Sequence, residues 1–206
     1  MYQYLLLIFV FGSLNVSEGQ VLLFGDCKQV ETMRYFELEK FLGRWYQIAR
    51  FPSWYEDDGD CSYKLIQRCG RTIQFQHIYV KSGIRYVLHV NSSYTPGDEA
   101  VFNIRANNID PIGIPLSIIT TDYTNYAVVY GCKTNEELNL KYVIAWILSR
   151  DNFLEPDILD KAYREVNSLP SSSIVYLDTV KHDEKHCAYH WSAHVNAEYM
   201  NNTTEK

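Results

Sequence analysis

The chain is 206 residues long, with a formal net charge of -6 at pH 7 and an aromatic content of 15% that includes 17 Tyr. Its Lys and Arg are scattered without a basic cluster, which excludes the phosphate-driven attraction that nucleic-acid binding needs. The aromatic surplus suits a cavity walled by large, rigid faces that carry polar tips.

In chain order, residues 2–14 form an almost uncharged run of Leu, Ile, Phe and Val that gives way to Asn15, Ser17 and Glu18. That is shorter than the roughly 20 apolar residues of a membrane-crossing helix. Ser17 and Gly19 place small side chains before a cut at Gln20. Residues 1–19 are therefore expected to be a signal peptide, residues 20–190 one domain, and residues 191–206 a polar C-terminal tail. No later segment has the apolar length of a transmembrane span, so the expectation is a secreted, extracellular protein. Five cysteines follow the leader: Cys27, Cys61, Cys69, Cys132 and Cys187. An oxidising compartment would give two disulfides and one free thiol, with roughly 15 arrangements left open by spacing alone. None has the Cys-x-x-Cys spacing of a structural zinc or dithiol site. Sequons at Asn91, Asn201 and Asn202 fit glycosylation of a secreted chain.

Leu38, Phe41 and Leu42 before Gly43 predict a short helical entry turn. From Gly43 to Arg150, runs of Tyr, Val, Ile and Phe alternate with turn residues about every ten positions, which predicts antiparallel strands. The eight runs are 43–51, 61–68, 72–80, 84–91, 99–106, 115–121, 125–132 and 141–149. Several alternate cleanly: Phe75, His77 and Tyr79 oppose Gln74, Gln76 and Ile78; Tyr86, Leu88 and Val90 oppose Arg85 and His89; Phe102 and Ile104 oppose Asn103 and Arg105. An all-β fold with one apolar face closes most economically into an eight-stranded, antiparallel, up-and-down barrel. A helix over 156–167 follows, opened by Pro156, with Ile158, Leu159, Ala162, Tyr163 and Val166 on the stripe that would pack against the outer wall. A last strand is predicted over Ile174 to Leu177.

Three short stretches now form a pattern: Gly43-Arg44-Trp45-Tyr46 on the first run, Thr121-Asp122-Tyr123 at a turn, and Arg150 closing the eighth. In that order and at those separations they resemble lipocalins. The surrounding residues, Trp45 to Pro52, Thr120 to Ala127 and Ala145 to Arg150, resemble the branch that contains apolipoprotein D and the insect bilin-binding proteins. The resemblance implies that Trp45 plugs the closed end of the barrel, with the Arg150 guanidinium over its indole and Asp122 fixing the adjacent turn. It also implies the disulfides Cys27–Cys132 and Cys61–Cys187. Cys61 stands nearer to Tyr63 than the family pattern has it, so a Cys61–Cys69 link within a hairpin is the alternative.

The function implied is extracellular binding and transport of a small hydrophobic ligand, without catalysis. No cofactor is obligatory; a bilin, a retinoid or a fatty acid are the candidate cargoes, with a cell-surface receptor or a lipoprotein particle as further partners. Alternation and resemblance together place Tyr63, Phe75, His77, Tyr79, Tyr86, Leu88, Phe102, Ile104, Ile118, Tyr126 and Trp146 on the cavity wall, and Phe51, Trp54 and Tyr55 at its mouth. Trp146 matches the ligand-contacting Trp of the relatives. Two competing readings are a haem- or metal-binding lipocalin using His77 and a thiol-dependent prostaglandin isomerase using Cys69. In the tail, His182, His186, His190 and His194 would align as a metal-binding stripe if that segment were helical; a disordered tail tied down at Cys187 is the expectation, with no metal site.

Overall fold

A computed structural model of the chain describes residues 20–56, 59–97 and 99–199. The expected signal peptide and the sequons at Asn201 and Asn202 lie outside the described residues. Eight antiparallel strands form the barrel: β2 (Gly43–Arg50), β3 (Asp60–Cys69), β4 (Thr72–Lys81), β5 (Ile84–Ser93), β6 (Val101–Ile104), β7 (Leu116–Thr121), β8 (Tyr126–Asn135) and β9 (Leu140–Ser149). Each pairs with its sequence neighbour, and β9 returns to pair with β2, so the sheet closes on itself. Closure satisfies the backbone groups that an open edge would leave exposed.

A one-residue slip interrupts three of the pairings, and each slip decides which side chains face inward. On β2 the partner sequence jumps between Gln47 and Ala49, on β3 between Asp60 and Tyr63, and on β7 between Ile118 and Thr120. Because strand side chains alternate with a period of two, one extra residue reverses the facing of all that follows. Trp45 and Arg50 consequently both point into the barrel, while Ala49 and Phe51 join the outer apolar layer.

That outer layer is where helix α2 (Pro156–Ser168) docks; α1 is the short entry turn Leu38–Phe41. Ala162 and Val166 of α2 are fully buried, with Ile158, Leu159 and Tyr163 beside them, against Tyr126, Val128, Tyr130, Ala145 and Ile147. Pro at the helix start costs nothing, since the first amide has no intrahelical acceptor.

Two bridges tie the ends to the barrel: Cys27 to Cys132, 105 residues apart, and Cys61 to Cys187, 126 residues apart. Each closes a loop worth about 4–5 kcal/mol by the chain-entropy account. The hairpin alternative, Cys61–Cys69, is not formed; Cys69 is an exposed thiol. The unusual position of Cys61 is accommodated by its left-handed backbone, φ 56°, at the slip in β3.

Three segments differ from the sequence expectation. The strand predicted over Ile174 to Leu177 is a 3₁₀ turn, Ile174–Tyr176, capped by the Ser173 side chain, which accepts from the Val175 amide; a two-residue strand, β10 (Asp178–Thr179), then pairs with β2. A strand the sequence did not signal, β1 (Val21–Phe24), pairs with the start of β9. The tail, expected to be disordered, contains a one-turn helix, α3 (Glu184–Cys187), and a strand, β11 (Trp191–Asn196), parallel to β5 along Ile84 to His89. The cause lies in β6, which is short and meets β5 only at Ser92 and Ser93. The rest of that β5 edge would be bare, and β11 supplies its hydrogen bonds. Ala197 N–H donates to His89 O at 2.8 Å and Glu198 N–H to Asn108 Oδ1 at 2.8 Å, so the tail bridges β5 to the loop after β6.

This extended path also separates the four tail histidines. His182 faces Gln47 O at 2.9 Å, His186 meets Asp183, and His194 stacks on His89, with their nitrogens 3.2 Å apart. The stripe that a helix would have made does not form, and among the described residues no three His, Cys, Asp or Glu converge on a metal-sized position.

Candidate functional site

The barrel is sealed at one end. Trp45, fully buried, donates from Nε1 to Phe41 O at 2.7 Å, and the Arg150 guanidinium lies 3.7 Å from the centre of its indole. Arg150 also donates to three carbonyls: Tyr123 at 3.0 Å, Arg44 at 2.8 Å and Lys40 at 2.7 Å. Gly43 stands next to this stack with φ 101°, a conformation costly for residues with a Cβ. Asp122 holds the neighbouring turn, its Oδ1 accepting from the amides of Thr124, Asn125 and Tyr126 at 2.8–3.1 Å. Burial works against ionisation of this carboxyl, but those donors and the Asn125 side chain hold it below its ordinary value.

Above the plug, the lumen first fills with packed rings and branched chains, then opens into a cavity of about 40 Å³. Phe102 and Ile118, expected on the wall, belong to the packed zone with Phe41, Ile66 and Ile144. The cavity is walled by Tyr55, Phe75, His77, Leu88, Ile104 and Trp146 from the expected set, and by Lys64, Val90, Ile109, Asp110 and Leu116, which the sequence reading missed. Tyr79 and Tyr86 stack on each other at 5.1 Å in a smaller cluster with Leu88 and Ile109. Trp54 meets Tyr142 edge-on at 5.9 Å.

Three of the expected residues lie outside the lumen. Tyr63 faces outward, between Tyr46 and the Arg44 guanidinium, and its hydroxyl accepts from Arg85 at 3.0 Å. Its neighbour Lys64, opposite Trp45 in the ladder, takes the inward position in step with Ser62 and Ile66. Tyr126 packs under α2, with Lys161 over its ring at 5.1 Å, while Ala127 faces in. Phe51 is buried against Tyr176 in the outer layer, carried there by the slip in β2.

The most unusual feature of the wall is a buried charged network. Glu56, on the loop after β2 and fully buried, accepts from Lys64 Nζ at 2.5 Å and from Gln47 Nε2 at 3.2 Å, with Arg50 Nε 3.4 Å away. Lys64 Nζ also contacts His77 Nδ1 and lies 4.1 Å from the centre of the Trp146 ring. Gln47 Oε1 accepts from Ser62 at 2.6 Å, and Arg50 Nη2 donates to Gly59 O at 2.9 Å. Burial opposes the charge on Glu56, yet Lys64, His77 and Arg50 together bring its pKa down to about 2. For Lys64, burial outweighs the attraction of Glu56 and lowers the pKa to about 8. His77 is pushed well below its usual range by burial and by Lys64, so it is neutral at pH 7. With Lys64 donating to Nδ1, the His77 proton sits on Nε2.

Two donors on this wall lack an acceptor. Neither His77 Nε2 nor Trp146 Nε1, both buried, has a hydrogen-bond partner; Glu56 Oε1 at 3.5 Å is the charged atom near the former. Asp110, also on the wall, has its oxygens taken by the amides of Ile112, Gly113 and Ile114 at 2.9–3.0 Å. The signal for Lys64 was present in the alternation Ser62, Lys64, Ile66, but lysine at an interior position runs against its usual place.

Residues 42–183 match the sequence model of the Lipocalin / cytosolic fatty-acid binding protein family. Apolipoprotein D of Oryctolagus cuniculus is 29% identical over 157 residues, covering 74% of this chain and 81% of its own. Insecticyanin-A of Manduca sexta is 26% identical over 168 residues, covering 75% and 86%. Among solved structures, insecticyanin from the tobacco hornworm Manduca sexta superimposes with a TM-score of 0.71 at 21% identity, over 87% of this chain and 98% of that one. Lobster apocrustacyanin A1 gives 0.68 at 19% identity, over 80% and 92%. Matched along most of its length by the family's sequence pattern and built as a sealed barrel, the chain belongs to the lipocalin family.

Proposed function

We propose that this protein is an extracellular carrier that binds one small apolar molecule in the lumen of its barrel. The observation that carries the reading is the cavity itself: a dead-end space above the Trp45 plug, walled by Phe75, Leu88, Val90, Ile104, Leu116 and Trp146. Burial of apolar ligand surface there contributes about 25 cal/mol per Å². The two disulfides support the extracellular setting, and the likeness to apolipoprotein D and to a bilin-binding protein of Pieris brassicae supports the class of cargo. Binding rather than catalysis is supported by the place of Cys69, exposed at the hairpin below the plug and away from the lumen. His77, with Lys64 on one ring nitrogen and Glu56 near the other, fits a polar wall better than a haem ligand.

As it stands the cavity admits about three water molecules. Pockets for larger ligands reach roughly 300 Å³ or more, so occupancy by a retinoid, a fatty acid or a bilin requires the wall to move. The pieces that fill the space are suited to this: Tyr55 is carried by a loop, and Lys64 has a flexible four-carbon stem. The test is to titrate the purified protein with retinoic acid, with fatty acids and with biliverdin, following Trp fluorescence and visible absorbance. Saturable quenching is expected, weakened at least about tenfold by Trp146→Ala. A Trp146→Ala protein that binds as well as the wild type removes the lumen as the site.

A further inference from the structure

Within the carrier reading, on which this inference rests, the wall says something about the cargo's polar end. We propose that the lumen selects amphiphiles with an anionic head, a carboxylate, seated against Lys64, His77 and Trp146, with the aliphatic part along Phe75, Leu88 and Ile104. The argument is one of unmatched donors. His77 Nε2–H and Trp146 Nε1–H are buried on the cavity wall with no acceptor. A buried donor left unsatisfied costs about 1–3 kcal/mol, so such groups are retained where something else supplies the acceptor.

The carboxylates already present do not meet these donors. One carboxylate, Glu56, is shared by the Lys64 ammonium and the Arg50 guanidinium, and the oxygens of Asp110 are taken by three loop amides. The accepting oxygens of both carboxylates are thus directed elsewhere, and a ligand carboxylate would supply the acceptor that His77 Nε2 and Trp146 Nε1 lack. An alcohol offers an acceptor without a charge for Lys64; an amine sets a second cation against the Lys64 ammonium on the wall. The position of Lys64 on the Trp146 face adds a requirement, since an apolar ligand reaching that indole must displace the ammonium. A carboxylate can accept from it instead.

The experiment uses a matched series on the full protein: octanoate, 1-octanol and octylamine, one chain length with three heads, measured by calorimetry. At pH 7 octanoate is expected to bind at least about tenfold more tightly than octanol, the worth of one charge-assisted hydrogen bond, and octylamine more weakly than either. Lys64→Met should abolish the preference, while Lys64→Arg should retain it. The groups facing Lys64 are Glu56, His77 and Arg50, with Tyr55 and Asp110 across the cavity. Of these Lys64 is the one that titrates near pH 8, so octanoate affinity should fall as pH rises past about 8 and octanol affinity should not. Equal binding of all three heads, or a preference for the amine, overturns the inference and leaves carriage intact. Failure of all three, together with no response to the larger ligands above, overturns carriage itself.

Discussion

Two buried indoles each carry a cation on one face, one at the closed end of the barrel and one in its lumen, and they differ in what surrounds the cation. Arg150 lies over Trp45 with its donors directed at the carbonyls of Tyr123, Arg44 and Lys40, and the Trp45 N–H is also satisfied. Lys64 lies over Trp146 beside two orphaned N–H groups, on the wall of a space. A guanidinium is permanently charged and presents its donors in a fixed plane, whereas an ammonium on a flexible stem titrates readily when buried. The first stack is complete without a ligand and serves the fold. The second is left with donors to spare, and that incompleteness is what a binding site requires.

The comparison breaks most visibly at the plug. Trp45→Ala, which empties a fully buried site and removes the stacking surface of Arg150, is expected to destabilise the protein by about 3–5 kcal/mol in urea unfolding. A loss below about 1 kcal/mol would show that the closed end does not depend on this stack.

In the lumen the largest effect should come from the shared anion. Glu56→Gln leaves Lys64 and Arg50 buried without a carboxylate and should cost about 3 kcal/mol. Combining it with Lys64→Met should recover more than half of that loss, because the uncompensated ammonium is gone. Additive losses in the double variant would mean that the two side chains do not act as a pair.

The same carboxylate gives a pH signature. Its pKa falls from 4.5 to about 2 on folding, so the unfolded chain binds the proton more readily between those values. The contribution, about 3 kcal/mol, is complete above pH 4.5 and is lost as pH falls through 2. Lys64 acts in the same direction at the alkaline end: with its pKa lowered from 10.5 to about 8, the unfolded chain again binds the proton more readily, and stability should rise as pH increases between those values. Acid and alkaline unfolding series on the wild type and on Glu56→Gln should show the acid limb in the former alone.

The smallest effect is expected outside. Tyr63→Phe removes a hydroxyl from the outer face, where it meets Arg85. It should change stability by no more than about 0.5 kcal/mol and ligand affinity not at all. A weakened ligand would return Tyr63 to the lumen.

Much of this fold was legible in the residues. The alternation in 72–80, 84–91 and 99–106 placed the strands and their inward faces, and the Pro156 start with its Ile158 to Val166 stripe placed the helix. The pairing of the four bridged cysteines came from likeness to a family, since spacing alone left it open. The candidate site was legible where the inward face is the apolar one, and illegible where that face carries a lysine, as on β3, or where a slip intervenes, as on β2. Phe75, His77, Leu88 and Ile104 reach the cavity, whereas Tyr63, Phe51 and Tyr126 do not.

What the sequence determined by itself is local: where the chain extends, where it turns, and which strands have a greasy face, because these follow from side-chain chemistry at neighbouring positions. Only the tertiary structure decided the facing of residues at and beyond the slips in β2 and β3, since register is a property of two strands and not of one. It likewise decided that a lysine would sit inside, since that depends on Glu56 arriving from a loop to meet it, and that the tail would form a strand, since that depends on a vacancy along β5 left by a short neighbour.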